Sequence, residues 1–186
     1  GENEGLIDKL IYTYDIGNKL MEVKDIYGAN IKGFNDGNTT GDDYAYDANG
    51  NMVKDLNKGI GTTTAEGITY NHLNLPTSIT FNNDATKTIS YIYDATGVKQ
   101  AKVVTNGSSL TTTKYAGNFI YKGTENSTET LEFFNHPEGY VEPHGNGFRY
   151  VYQYKDHLGN IRISYSDYNG DGNVDIMRNG NDMDGD

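Results

Sequence analysis

The sequence predicts an all-β fold built from repeated hairpins, and three observations predict it. Short runs alternate apolar and polar residues with period two, the spacing that places every second side chain of a strand on one face. Between these runs Asp, Asn and Gly recur, and each supplies turn chemistry. The 186 residues include 23 Gly and 16 Tyr against 6 Phe and no Trp, and 35% are hydrophobic. Such a composition suits many short strands with amphipathic tyrosines better than a thick aliphatic core.

Residues 10–14 alternate, 15–18 turn and 19–25 return, with Met21 and Val23 on one face and Leu20, Glu22 and Lys24 on the wetter one. After a Gly/Asn-rich link at 33–41, Tyr44 and Tyr46 lead into Asp47-Ala48-Asn49-Gly50-Asn51 and a return at 52–54. Asn49-Gly50 is a strong hairpin signal, because a tight turn needs residues that accept positive φ. A third unit runs 67–70, 71–74 and 75–81; Pro76 removes a ladder donor and belongs at a strand start or an edge. The fourth runs 89–93, 94–97 and 98–104. Tyr14, Tyr46, Tyr70 and Tyr93 precede the four turns at intervals of 32, 24 and 23 residues, the first lengthened by the link. A period near 23 points to an array whose neighbours complete each other's core, the alternative being a β-sandwich of merely similar hairpins.

Residues 111–121 depart from the period, with a turn at 116–118, and 131–134 and 139–142 flank another turn. The most regular stretch follows at 150–165. Tyr150, Tyr152 and Tyr154 share one face of its first run, Ile161, Ile163 and Tyr165 one face of its second, and Asp156, Gly159 and Asn160 form the turn. After Tyr165 the alternation stops, and six aspartates across 167–186 against Arg178 alone read as a solvated tail unless an ion orders it. The chain therefore divides into repeat hairpins at 1–110, a second β segment at 111–166 and an acidic tail at 167–186.

A net charge of −11 disfavours nucleic acid and anionic membranes as partners. There is no cysteine for a disulfide or thiolate site. No apolar run reaches the roughly 18 residues that cross a bilayer, so membrane insertion is not expected, and residues 1–5 carry no signal-like pattern.

Tyr12-Thr13-Tyr14-Asp15, Tyr44-Ala45-Tyr46-Asp47 with Asn49-Gly50-Asn51, and Tyr91-Ile92-Tyr93-Asp94 with Gly97 resemble the tyrosine-aspartate repeats of Rhs/YD-repeat proteins. The stretch from Tyr152 to Tyr165, with Asp156-His157-Leu158-Gly159-Asn160 and Arg162, is similar to the start of the Rhs repeat-associated core in Bacteroidetes-type sequences. The resemblance covers roughly residues 6–165. It implies a curved antiparallel sheet strip, part of a hollow shell that in bacterial members encloses a variable C-terminal effector. The repeat-motif residues it implies are Tyr14, Asp15, Gly17, Tyr46, Asp47, Gly50, Tyr93, Asp94, Gly97, Asp156, His157, Gly159, Asn160 and Arg162. Several members cut the effector free at an aspartate-containing motif; this chain has no Asp-Pro dipeptide, so self-cleavage is not carried over.

Asp167, Asn169, Asp171, Asn173 and Asp175 fall at positions 1, 3, 5, 7 and 9 of a loop with Gly172 at position 6, a spacing that aims oxygens at one calcium ion. Position 12 is Arg178 rather than glutamate, so a full EF-hand loop is absent, and a flexible acidic linker explains the same residues. His72, His136, His144 and His157 read as turn or surface residues; no pair has the i, i+4 spacing of a helical zinc site. Asp156, His157 and Ser164 invite a triad reading, yet no nucleophile elbow accompanies them. Sequons begin at Asn38, Asn106 and Asn126.

The expectation is thus a non-enzymatic wall segment of a secreted or surface-displayed bacterial protein, with no cofactor except calcium. Its partners would be the rest of the parent polypeptide, including a downstream effector, and its open strands would be prone to edge pairing. The alternative is a carbohydrate- or protein-binding surface that uses exposed tyrosines.

Overall fold

Residues 7–27, 32–125, 127–178 and 181–182 are described by a computed structural model of the chain. Among them the structure is all-β, with every strand pair antiparallel and a single short 3-10 turn at Leu56–Lys58. The chain forms two compact units, Gly1–Leu110 and Thr111–Asp186.

In the first unit β1 (Leu10–Tyr14) pairs with β2 (Leu20–Asp25), and β3 (Tyr44–Tyr46) with β4 (Met52–Asp55). A ladder follows in sequence order through β5 (Ile68–Tyr70), β6 (Pro76–Thr80), β7 (Lys87–Tyr93) and β8 (Lys99–Asn106). Pro76 opens β6, where its missing N–H interrupts nothing. Successive hairpins are joined by the backbone: the N–H of Asp43 donates to Met21 O at 2.8 Å, and that of Gly67 to Val53 O at 2.9 Å. Val23, Tyr44, Val53, Ile68 and Ala101 form the small apolar core.

Asp43 and Asp55 are buried within that core, which the alternation of apolar residues did not foretell. Asp43 Oδ2 accepts the Val23 N–H at 2.7 Å and Oδ1 the Asn38 side-chain amide at 3.0 Å. Asp55 caps the 3-10 turn through the Lys58 N–H and pairs with the Lys58 ammonium at 3.0 Å. Buried carboxylates are tolerable only when donors surround them, and here those donors come from β2, the link and the turn.

The second unit runs in sequence order through β9 (Ser109–Ala116), β10 (Phe119–Thr124), β11 (Thr130–His136), β12 (Gly139–His144), β13 (Gly147–Lys155), β14 (Ile161–Ser166), β15 (Asp175–Arg178) and β16 (Asn181–Asp182). Val141 and Val151, on opposite faces, are its buried aliphatic residues. The expected solvated tail is corrected by β15, which pairs Asp175 with Ser166 and Met177 with Ser164. Asp175 is itself buried, because its carboxylate accepts the Tyr168 N–H at 2.7 Å and closes the loop before the strand.

One turn occurs five times. Its first residue is Asp15, Asp47, Asn71, Asp94 or Asp156, whose Oδ1 accepts the N–H groups two and four positions on at 2.7 to 3.0 Å. The same residue donates its N–H to the fifth carbonyl and accepts the fourth N–H at its own carbonyl. The fourth residue alone takes positive φ: Asn18 (65°), Gly50 (85°), Asn74 (58°), Gly97 (87°) and Gly159 (84°). This is a three-residue loop closed by a left-handed residue, with a register shift in the strand beside it, rather than the two-residue turn that Asn49-Gly50 suggests. In the first copy the residue equivalent to the repeat glycine is Asn18, not Gly17, since Asn also tolerates the left-handed region. Gly97→Ala is expected to lower the unfolding free energy by about 1–2 kcal/mol in urea titration, the cost of a Cβ in that region. Gly17→Ala should cost clearly less.

Candidate functional site

The tyrosine before each turn connects one hairpin to the previous one. Tyr46 donates its hydroxyl to Leu20 O at 2.9 Å, Tyr70 to Met52 O at 2.6 Å, and Tyr93 to Pro76 O at 3.0 Å. Leu20, Met52 and Pro76 are the sixth residues of successive turn units, each paired across its own hairpin with Tyr14, Tyr46 or Tyr70. Each bond therefore spans from one repeat to the same place in the repeat before it. Burial raises the pKa of Tyr46, Tyr70 and Tyr93 above the usual tyrosine value, which keeps the donating proton in place.

Side-chain amides add a second tie on the turn side. Asn49 and Asn51 donate to Asn74 Oδ1 of the next turn at 3.1 and 2.9 Å. Asp47 is held below the usual carboxylate range first by the Asn51 side chain, and Asp94 by the Thr96 hydroxyl. Asp156 is held low by the Asn160 side chain, and Arg162 also reaches its Oδ2, at 2.9 Å through Nε and 2.6 Å through Nη2. In this fifth copy Lys155 stands where the other four carry tyrosine. His157 is exposed at the tip, and both Asp156 oxygens are engaged by the turn and Arg162, so no Asp-His couple forms.

In the second unit, rings line one face of the sheet: Phe119 and Phe134 lie 5.0 Å apart, His136 and Tyr152 5.7 Å, and Tyr152 and Tyr165 stack at 5.6 Å. Phe148, Tyr150 and Tyr154 on β13 are exposed. An open cleft of about 440 Å³ is bordered by His144, Phe148, Tyr150, Tyr152 and Tyr168, with Arg149 held to Glu142 and stacked 4.2 Å from the Tyr168 ring.

Four of the five side chains singled out for calcium accept hydrogen bonds within the loop. Asp167 accepts the Gly170 and Gly172 N–H groups, Asn169 that of Asp171, Asp171 that of Asn173, and Asp175 that of Tyr168. Among the described residues no three carboxylate or imidazole groups gather into a metal cluster. A calcium ion here would compete with backbone N–H groups for the same oxygens. The Asn38 amide is likewise engaged, with Asp42 O and Asp43, whereas Asn106 is exposed at the end of β8; Asn126 lies outside the described residues.

No protein-family model, curated protein or solved structure matches the chain. Sequence reasoning missed Leu20, Met52 and Pro76 because they act through backbone carbonyls, for which side-chain identity is no guide. It aligned Tyr70 but not Asn71 and Asn74, although Asx at turn positions one and four was the available signal.

Each of Tyr46→Phe, Tyr70→Phe and Tyr93→Phe is expected to cost about 0.5–1.5 kcal/mol in urea unfolding, the net worth of one hydrogen bond. For the turns the sign is set by lowered carboxylates: their contribution is present above the ordinary aspartate value of about 3.9 and is lost as pH falls through the lower folded value. Asp94→Asn should keep the turn, as Asn71 does, and flatten the acid limb of a melting-temperature profile.

Proposed function

We propose that the chain is a non-enzymatic wall segment of the YD-repeat kind, in which stacked hairpins form a strip that encloses or displays a separate effector of a secreted or surface bacterial protein. The observation that carries this reading is the repeat-to-repeat tyrosine bond, made by Tyr46, Tyr70 and Tyr93 alike. It consumes the most distinctive side chains of the sequence in holding hairpins to one another, and the turn aspartates are consumed in the same way. Shape, not chemistry, is then what the strip contributes. Limited proteolysis of the parent polypeptide tests the proposal. The downstream segment should resist cleavage with the wild-type wall and become sensitive in the Tyr46→Phe, Tyr70→Phe, Tyr93→Phe triple variant. Equal sensitivity in both would contradict enclosure.

A second reading is favoured by the exposed rings of β13. Phe148, Tyr150 and Tyr154 leave a sheet face that a sugar ring could cover, beside a cleft with polar edges at His144 and Arg149. A glycan array decides it: selective hits lost in Tyr150→Ala would favour this reading over the wall, and an empty array would remove it.

A further inference from the structure

The 3-10 turn at Leu56–Lys58 borders a cavity of about 630 Å³ in the first unit, lined also by Phe34, Tyr44, Phe81 and Asn82. That volume lies in the range of small-molecule sites. Hydrogen bonds hold its walls in place: the Phe34 N–H donates to Asp8 Oδ1 at 3.0 Å, that of Phe81 to Lys87 O at 3.0 Å, and that of Asn82 to Gly59 O at 2.7 Å. The cavity is therefore part of the fold.

Two polar groups on this lining are not spent on the fold. Asn57 is 8% exposed, and its Oδ1 accepts the Asn38 N–H at 2.9 Å, whereas its Nδ2 has no hydrogen-bond partner. A buried donor left unpaired is costly, and buried polar groups are rarely left so. The Tyr44 hydroxyl is its neighbour: burial raises the Tyr44 pKa, the Asn57 amide offsets part of the rise, and the Asp55 and Asp43 carboxylates add to it. Tyr44 is 9% exposed against 51% for its equivalent Tyr12. Unlike Tyr46, Tyr70 and Tyr93, it gives its hydroxyl proton to no carbonyl of the described residues. An amide N–H and a phenol O–H thus lie side by side at a cavity with aromatic walls.

Both donors can be met by one acceptor. A carbonyl oxygen has two lone pairs, takes an N–H and an O–H together, and brings no donor of its own into the site. That acceptor has to be neutral, because Asp55 and Asp43 act on the hydroxyl, the Lys58 ammonium is committed to Asp55 at 3.0 Å, and the chain carries −11. A carboxylate would enter against like charge. Phe34 and Phe81 suit a methyl group beside the carbonyl. We infer that the cavity binds an acetamido group, whose carbonyl oxygen accepts from Asn57 Nδ2 and the Tyr44 hydroxyl and whose methyl packs on the phenylalanine walls. An N-acetylated amino sugar and an acetylated amine both present this group. The site belongs to the first unit and depends neither on the wall reading nor on the ring face of β13.

Titration of the isotope-labelled full chain, followed by two-dimensional amide NMR, tests the inference with N-acetylglucosamine, glucosamine, Nε-acetyl-lysine, lysine and acetate as probes. The Asn57 side-chain amide and the backbone amides at 57–59 and 81–82 should shift saturably with an acetylated probe and stay fixed with glucosamine, lysine and acetate. Tighter binding of the sugar or of the acetylated amine names the carrier, and equal binding means that the acetamido group alone is read. Asn57→Asp keeps the oxygen that holds Asn38 and replaces the donor by an acceptor, so it should weaken binding by about tenfold or more. Tyr44→Phe should weaken it by about three- to tenfold, one hydrogen bond's worth. Tyr150→Ala should bind as the wild type does, which separates this site from the glycan reading of β13. Saturable shifts with neither acetylated probe overturn the inference, as does a parent amine that binds as well as its acetylated form. Wild-type affinity in a folded Asn57→Asp, checked by circular dichroism, also overturns it. Should the variants misfold, the wild-type shifts decide alone: shifts confined to β13 and β14 overturn the assignment.

Discussion

The bond from a tyrosine hydroxyl to the backbone carbonyl of the preceding hairpin is the interaction on which the first unit depends. An isolated two-stranded hairpin is marginal in water at best. The hairpins here are short, with three residues in β3, four in β4 and three in β5. They cannot bury enough apolar surface alone. The tyrosine ring extends each hairpin's reach into its neighbour, and its hydroxyl finds a partner at the far end, so a largely apolar side chain is buried without stranding its polar atom. The five-fold Asx turn makes this repeatable. By fixing the fourth residue in the left-handed region, it places the tyrosine and the sixth carbonyl at the same offset in each of the four tyrosine-bearing copies.

Such an arrangement is quasi-one-dimensional: each hairpin is stabilised by its nearest neighbours, and stability accumulates along the chain. The buried carboxylates of Asp43 and Asp55 fit this logic. Asp43 takes the Val23 N–H of the hairpin before it, and its own N–H continues the backbone tie to Met21. The link at 33–41, irregular in conformation, is drawn in through Asn38. Polar ties therefore specify the register between hairpins, and the small aliphatic core fills what remains. For the wall proposed above, function follows from continuity, since a wall need only be unbroken and of the right curvature.

Strand positions and turns were legible because both are local: period-two alternation and Asx-Gly chemistry act within about ten residues. The pairing of 150–165 as β13 and β14 follows from the same rule. What escaped depends on tertiary partners. Asp43 looks like one more surface aspartate in an acidic chain, and only the arrival of Val23 and Asn38 makes it a core residue. Asp175 was read into an acidic tail, yet its bond to Tyr168 closes a loop and starts a strand. Tyr12 and Tyr44 are equivalent in sequence and differ sharply in exposure, because burial is set by the neighbouring hairpin rather than by the residue. In the candidate calcium loop, oxygens at alternate positions suit backbone Asx bonds as well as a cation, and the loop contains such bonds.

Native-state hydrogen exchange at single-residue resolution tests the account most directly, through the amides of Asp43 and Gly67, the two backbone ties between separate hairpins. The account predicts that both exchange as slowly as amides within the β7 and β8 ladder, and that removing the Tyr46 or Tyr70 hydroxyl speeds Asp43 or Gly67 respectively before it affects distant amides. Exchange of both at the rate of an unstructured loop in the wild type would contradict it, since the hairpins would then fold without one another.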